Sequence, residues 1–303
     1  MLRQADNKVT INGILSEIDL QESSYMKDGK TVENIRGTIK VKVSQQINDK
    51  TIDNEIPCQI FALKYKKDGN INPSYENWKK VKDDFISIAA AGGEQGADCV
   101  LVTGAKITEN AFYNAKGSIT SYPRIMASFI KKISREELSP EATFDIQFVV
   151  GEKGYVVDRD GVETSKYFVK AAIPQFGEKI DIVELVSENP AVIDAVKNYW
   201  NKGDTVNAIG RLNFTSSTVT TSVEVGFGEA KTQTRTINTS ELVITGGSQT
   251  PLEGEFAFDA ADVKKAVDAR AARIEATKER ATSGAHSHAA PAQGTVDASN
   301  LGF

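Results

Sequence analysis

A chain of 303 residues is long enough for two ordinary domains, and its 40% apolar and 25% charged content is that of a soluble globular protein. The net charge of -5 is uneven: residues 1–138 carry 20 Lys+Arg against 18 Asp+Glu, residues 139–250 carry 10 against 15, and residues 251–303 carry 6 against 8. No part is as basic as a typical duplex-binding domain, no apolar run is long enough for a transmembrane helix, and two cysteines leave no disulfide framework. Met1 to Asn7 is polar with no apolar segment behind it, which argues against a signal peptide. Cys58 and Cys99 lie in apolar strand-like runs and read as small buried hydrophobes of a cytoplasmic protein.

The first predicted strand runs from about Val9 to Ile18, and Asp28-Gly29 turns it into a second. In that second strand Ile35, Gly37, Ile39, Val41 and Val43 alternate with Arg36, Thr38, Lys40 and Lys42, giving one apolar and one basic, hydroxylated face. A third strand, Glu55 to Tyr65, sets Ile56, Cys58, Ile60 and Ala62 against Gln59, Phe61, Leu63 and Tyr65, with Lys64, Lys66 and Lys67 crowding its end. Pro73-Ser74 opens a helix with Trp78, Val81, Phe85 and Ile88 at helical spacing, and Ala91-Gly92-Gly93 stops it. Strands over Asp98 to Lys106 and Tyr122 to Ile133 complete a first module, residues 1–138.

Residues 139–250 repeat the order. Phe144, Ile146, Phe148 and Val150 form one face of the first strand, and Asp160-Gly161 turns into the second, Lys166 to Ile173. Lys179 to Val186 is the third, Asn189-Pro190 starts a helix through Trp200, and Gly203-Asp204 leads into the last two strands, the final one being Thr232 to Ile244. Residues 251–303 differ in kind: Asp259 to Ala281 predicts a solvent-exposed helix, and Ser283 to Ser299 reads as a disordered tail ending on Leu301-Gly302-Phe303.

The two modules share sparse identities. Asp98, Val100 and Gly104 recur 106 residues later as Asp204, Val206 and Gly210, while Val32, Glu33, Arg36 and Lys40 recur 130 residues later as Val162, Glu163, Lys166 and Lys170. The difference of 24 predicts extra residues in the first module, assigned to the Lys64 to Gly96 segment.

Five strands with a helix between the third and fourth is the order of the OB-fold. The run of turn, Asp, any residue, Val, apolar residue and Gly in Gly96 to Gly104 and in Gly203 to Gly210 looks like the fourth-strand signature of such barrels. Two such modules followed by a tail with a terminal Phe resemble the phage-type single-stranded DNA-binding proteins, over residues 8–246 at the level of fold. The resemblance implies a mostly β chain of two tandem OB-like five-stranded barrels, each with one helix between strands three and four, plus a C-terminal helix and disordered tail. It implies a non-enzymatic protein that coats single-stranded DNA in replication or recombination, with no cofactor.

Carried onto these residues, the binding face is Arg36, Lys40, Lys42, Phe61, Lys64, Tyr65, Lys66 and Lys67 in the first module, and Lys166, Tyr167, Phe168, Lys170 and Arg211 in the second. Ammonium and guanidinium groups would follow phosphates while aromatic rings stack bases. Leu301 and Phe303 approximate the partner-docking tip of bacterial-type relatives, without its acidic run or its Pro. On the plainer reading, edge lysines guard against aggregation and sheet aromatics are packing residues. The alternative function is a structural or adaptor subunit of a virion or other assembly. His286 and His288 are the only histidines, both in the tail, so no Ser/His/Asp set or Cys/His metal spacing arises in a folded module, and no P-loop is present.

Overall fold

The computed structural model of the chain describes residues 1–47, 49–113, 118–158, 160–223 and 231–282. Period-two alternation sets the first three strands: β1 (Asn7–Lys27), β2 (Lys30–Ile47) and β3 (Lys50–Leu63) bury Val9, Ile11, Leu15, Ile35, Ile39, Val41, Ile56 and Cys58 on one face. Asp28 and Gly29 both take left-handed backbone, φ 52° and 74°, as a two-residue type I′ turn requires, so β1 and β2 form a long hairpin. Two helices follow, α1 (Pro73–Asp84) and α2 (Ile88–Ala91), then β4 (Cys99–Tyr113), β5 (Ile119–Met126) and β6 (Phe129–Ile133). The second half comprises β7 (Glu141–Val157), β8 (Glu163–Gln175), β9 (Lys179–Ser187), α3 (Pro190–Tyr199), β10 (Thr205–Val223) and β11 (Lys231–Gly247), before α4 (Ala260–Thr282).

Each half closes on itself. β1 pairs with β2, β2 with β3, β3 in parallel with β5, β5 with β4, and β4 returns to β1. The second ring runs β7, β8, β9, β11, β10 and back to β7, again with its one parallel contact between third and fifth strands.

Register identifies equivalent residues. Ile39 pairs with Cys58 as Val169 pairs with Leu185, and Ile107 pairs with Ile125 as Leu212 pairs with Leu242. Arg36 and Lys40 therefore correspond to Lys166 and Lys170. The displacement is 130 residues at Ile39 and Val169, 127 at Cys58 and Leu185, and 106 at Val100 and Val206. Most of the excess thus lies between β3 and β4, where α1, α2 and a 3-10 turn at Glu94–Gly96 stand in place of α3 alone. The repeated aspartates do the same work: Asp98 Oδ2 accepts the Ile86 amide at 2.9 Å and Asp204 Oδ2 the Asn201 amide at 2.7 Å, each tying down the chain leaving a helix. Gly104 and Gly210, by contrast, are one residue out of register. A bulge in β4 makes Ala105, which faces Val9, the counterpart of Gly210, which faces Phe144.

The rings are joined by a ladder, not strung as beads. β1 pairs antiparallel with β7, placing Val9 opposite its own counterpart Phe144, with Asn7 opposite Ile146 and Ile11 opposite Ala142. This is the self-complementary pairing of a two-fold dimer, built within one chain. Gly210 of β10 leaves space for the Phe144 ring within the second ring, since a Cβ there would lie 2.3 Å from it. The buried Asn54 of β3 accepts the Phe214 amide of β10 at 2.8 Å, a second tie between rings.

Three sequence expectations need correction. The single helix expected from Pro73 to Ala91 is two, because Phe85 turns extended, Asp98 takes the Ile86 amide, and Ser87 caps α2 by accepting from Ala90. The strand expected from Tyr122 to Ile133 is broken into β5 and β6, because Gly104, at φ 66°, bends the facing strand between the pairs Thr103–Phe129 and Lys106–Met126. The helix expected to be solvent-exposed, α4, lies against β4 and β9 and buries Val263, Ala266 and Ile274. Residues 283–303, with Leu301, Phe303 and both histidines, lie outside the described residues. No described helix is long and apolar enough to cross a membrane.

Candidate nucleic-acid interface

The outward side chains of β2 and β3 stand in matched rows: Arg36 beside Phe61, Thr38 beside Gln59, Lys40 beside Pro57 and Lys42 beside Glu55. Several of the cations are already committed. Lys40 bonds Glu17 at 2.6 Å, and Lys42 bonds Glu94 at 2.8 Å and Asp53 at 3.2 Å, so hydrogen bonding to carboxylates raises both amine pKa values. Lys64 bonds Glu33 at 2.9 Å and lies 5.4 Å over the exposed Tyr65 ring. Arg36, Lys66 and Lys67 are exposed and form no ion pair among the described residues. Phe61 is 50% exposed, so its ring stands in water beside the Arg36 guanidinium's strand position.

The face continues onto the β4–β5 hairpin, which sequence reasoning missed. Arg124 of β5 donates to Gln59 Oε1 at 3.2 Å and to Thr108 Oγ1 at 3.3 Å, stitching the hairpin to β3 through neutral acceptors, and its charge also acts on the carboxylate of Asp181 in β9. Next along the same face, Tyr122 meets Phe112 edge-on, with ring centroids 6.1 Å apart, and the two are 40% and 37% exposed. The signal was present as a period-two pattern, Tyr122 then Arg124 on one face, with Phe112 diagonally across from Tyr122, but it lay in a segment read only as a closing strand.

In the second ring the expected residues are placed differently. Lys166 Nζ lies 2.5 Å from Glu241 and 3.8 Å from Glu188. Tyr167 is buried, edge-on to Tyr155 at 5.1 Å with Lys197 over both rings, and has no open face for a base. Phe168 is half-buried beneath Lys170 at 5.7 Å, and Lys170 bonds Glu184 at 2.7 Å. Arg211 is half-buried in β10, in register with Thr143 and Val243. In the first ring Arg36, Lys40, Lys42 and Phe61 therefore share the outward face of β2 and β3, whereas in the second Tyr167 is buried and Lys166 and Lys170 are held by carboxylates.

Neither tryptophan is a surface platform. Trp78 and Trp200 are buried, Trp200 edge-on to Phe148 at 5.7 Å with its indole donating to Ser248 O at 2.8 Å. Asp158 Oδ1 accepts the Asp160 and Val162 amides at 2.9 Å, so that carboxylate organises a turn. Among the described residues no group of three or more His, Cys, Asp or Glu is placed to hold a metal ion.

Comparison with solved structures gives the class of fold. The chain is similar to the crystal structure of the wild-type single-stranded DNA binding protein from Thermus aquaticus, with a TM-score of 0.51 at 11% sequence identity, over 83% of this chain and 96% of that one. A deletion mutant of the same protein aligns with a TM-score of 0.44 at 13% identity, over 83% and 97%. The chain belongs to the YorF family, whose family model matches residues 5–280. No curated protein sequence matches it.

Proposed function

We propose that the two rings are tandem OB-fold barrels and that the chain binds single-stranded DNA without strong sequence preference, on the outward face of β2, β3 and the β4–β5 hairpin. The observation that carries this reading is a pair of guanidiniums that form no ion pair among the described residues, Arg36 in register with the exposed Phe61 and Arg124 two residues from Tyr122 on the hairpin stitched to β3. Cations that follow phosphates beside rings that stack any base are what sequence-tolerant binding requires. The OB-fold offers oligonucleotides this same combination, the face of strands two and three with the loops joining strands one to two and four to five. Lys66 and Lys67, exposed in the turn that follows β3, add further cations beyond its end. The task that fits such binding is coating and protecting exposed strands during replication or recombination, by equilibrium binding with no chemistry. Its fold resemblance to a bacterial single-stranded DNA binding protein supports the reading.

The test is fluorescence anisotropy of the full chain with labelled oligo-dT, matched duplex and single-stranded RNA over a salt series. Oligo-dT affinity should fall with a log–log salt slope of about -0.7 for each phosphate neutralised, and duplex should bind far more weakly. Absence of binding to every strand at low salt would sink the proposal.

A further inference from the structure

We infer that the two rings are not equivalent and that the DNA strand is held by the first alone, an inference that rests on the single-stranded DNA reading above. Strand register identifies what each first-ring contact has become in the second. Arg36 corresponds to Lys166, and its neighbour Phe61 to Glu188, one residue past the Tyr167–Ser187 pair that ends the β8–β9 ladder. Arg124 corresponds to Glu241, and its partner Thr108 to Asn213, whose amide donates to Glu241 at 3.1 Å. Tyr122 and Phe112 correspond to Thr239 and Ser217.

Each replacement acts in the same direction. Where the first ring offers a guanidinium with no ion pair among the described residues, an exposed ring and a second guanidinium, the second ring offers one ammonium held between two carboxylates, at 2.5 Å from Glu241 and 3.8 Å from Glu188. A phosphate entering there must displace both carboxylates from Lys166 and then remain beside them, so the local field repels it. The base that would stack on Phe61 finds a carboxylate, and the hairpin rings are replaced by hydroxyls, so stacking is lost as well. The remaining second-ring cation on this row, Lys170, is bonded to Glu184 at 2.7 Å and covers Phe168. The excess of 15 acidic over 10 basic residues in 139–250 points the same way.

The second ring serves instead as a buttress. Its β7 edge completes the β1 ladder, its β10 donates the Phe214 amide to Asn54, and its β9 donates the Ile182 amide to Glu109 at 3.2 Å, all of which hold the strands that carry the first-ring face.

The test uses the full chain and labelled oligo-dT, with circular dichroism to verify that each variant is folded. Phe61→Ala should weaken binding about tenfold, the loss expected for one stacked base, while Lys166→Ala should leave affinity within about twofold of wild type. Photo-crosslinking with 5-iodo-deoxyuridine oligonucleotides should mark peptides containing Phe61 or Tyr122 and none from residues 163–188. Loss of affinity in Lys166→Ala equal to that in Phe61→Ala, or crosslinks to β8, would overturn the asymmetry while leaving DNA binding intact. No binding by the wild-type chain would overturn the DNA reading itself, and this inference with it.

Discussion

Glu109 shows how much one side chain holds in place. It lies in β4 with a side chain 2% exposed, accepts from Ser121 Oγ at 2.6 Å and the Ile182 amide at 3.2 Å, and forms a two-pronged ion pair with Arg270 of α4. Three elements from both halves of the molecule meet on one carboxylate. Glu109→Ala should cost about 3–5 kcal/mol in urea denaturation, because it leaves the Arg270 charge buried without a partner. Replacing both residues with apolar ones of similar size should recover most of that loss, since a packed apolar pair avoids the desolvation of two charges. Recovery of nothing by the double variant would show that the carboxylate's hydrogen bonds to Ser121 and Ile182 dominate. Neither partner was legible in the sequence as a pair. Glu109 occupies an inward position of a strand and Arg270 lies inside a polar-looking helix, and 161 residues separate them. Periodicity counts apolar residues and is blind to a buried ion pair that substitutes for them. Arg124 was missed for a different reason: its alternation with Tyr122 was there to see, but its acceptors Gln59 and Thr108 come from two other strands, so nothing local tied it to the β2–β3 face.

At the scale of elements, local chemistry was legible wherever a short motif fixes it. Asn72-Pro73 and Asn189-Pro190 both start helices: Asn72 Oδ1 accepts the Ser74 amide at 3.1 Å and Asn189 Oδ1 the Ala191 amide at 3.0 Å, with Pro at the first helical position. Asn72→Ala and Asn189→Ala should each cost about 1 kcal/mol by urea denaturation. α1 also has a charged tether. Glu22 of the β1–β2 hairpin accepts from Tyr75 Oη at 2.7 Å, Lys82 at 2.9 Å and Lys79 at 3.3 Å, and these donors, Lys82 foremost, lower its pKa from the usual 4.5 to about 2. The folded value lies below the unfolded one, so the tether contributes in full above about pH 4.5 and is lost as pH falls through 2. Stability of wild type should therefore fall between those limits by more than that of Glu22→Gln, and equal acid sensitivity of the two would refute the tether. Where motifs give out, so did the reading: the break at Phe85 depends on Asp98 from beyond the helix, and the bend between β5 and β6 depends on Gly104 in the facing strand. Alternation along one segment does not reveal a bend imposed by its neighbour.

For the molecule as a whole, the tandem repeat was visible in order and spacing, while the way its halves join was not. A strand whose first six residues pair with an equivalent strand looks, in sequence, like any other strand. The consequence is energetic. Val9, Ile11, Phe144 and Ile146 are buried where the rings meet, so separating the rings exposes a continuous apolar seam along with the β1–β7 ladder and the Asn54 and Glu109 ties. Rings coupled this strongly should unfold together. Trp78 and Trp200 provide one buried reporter in each ring, so Trp200→Phe reports the first and Trp78→Phe the second by fluorescence in urea. The two midpoints should coincide once each is corrected for the stability change its own substitution causes, measured by far-ultraviolet circular dichroism on the same variant. Ile146→Asp, which puts a carboxylate into the seam, should then lower both signals together. If it separated them into two transitions, the seam would be a docking contact between independently stable barrels, and the second ring could not be the support on which the first ring's face depends.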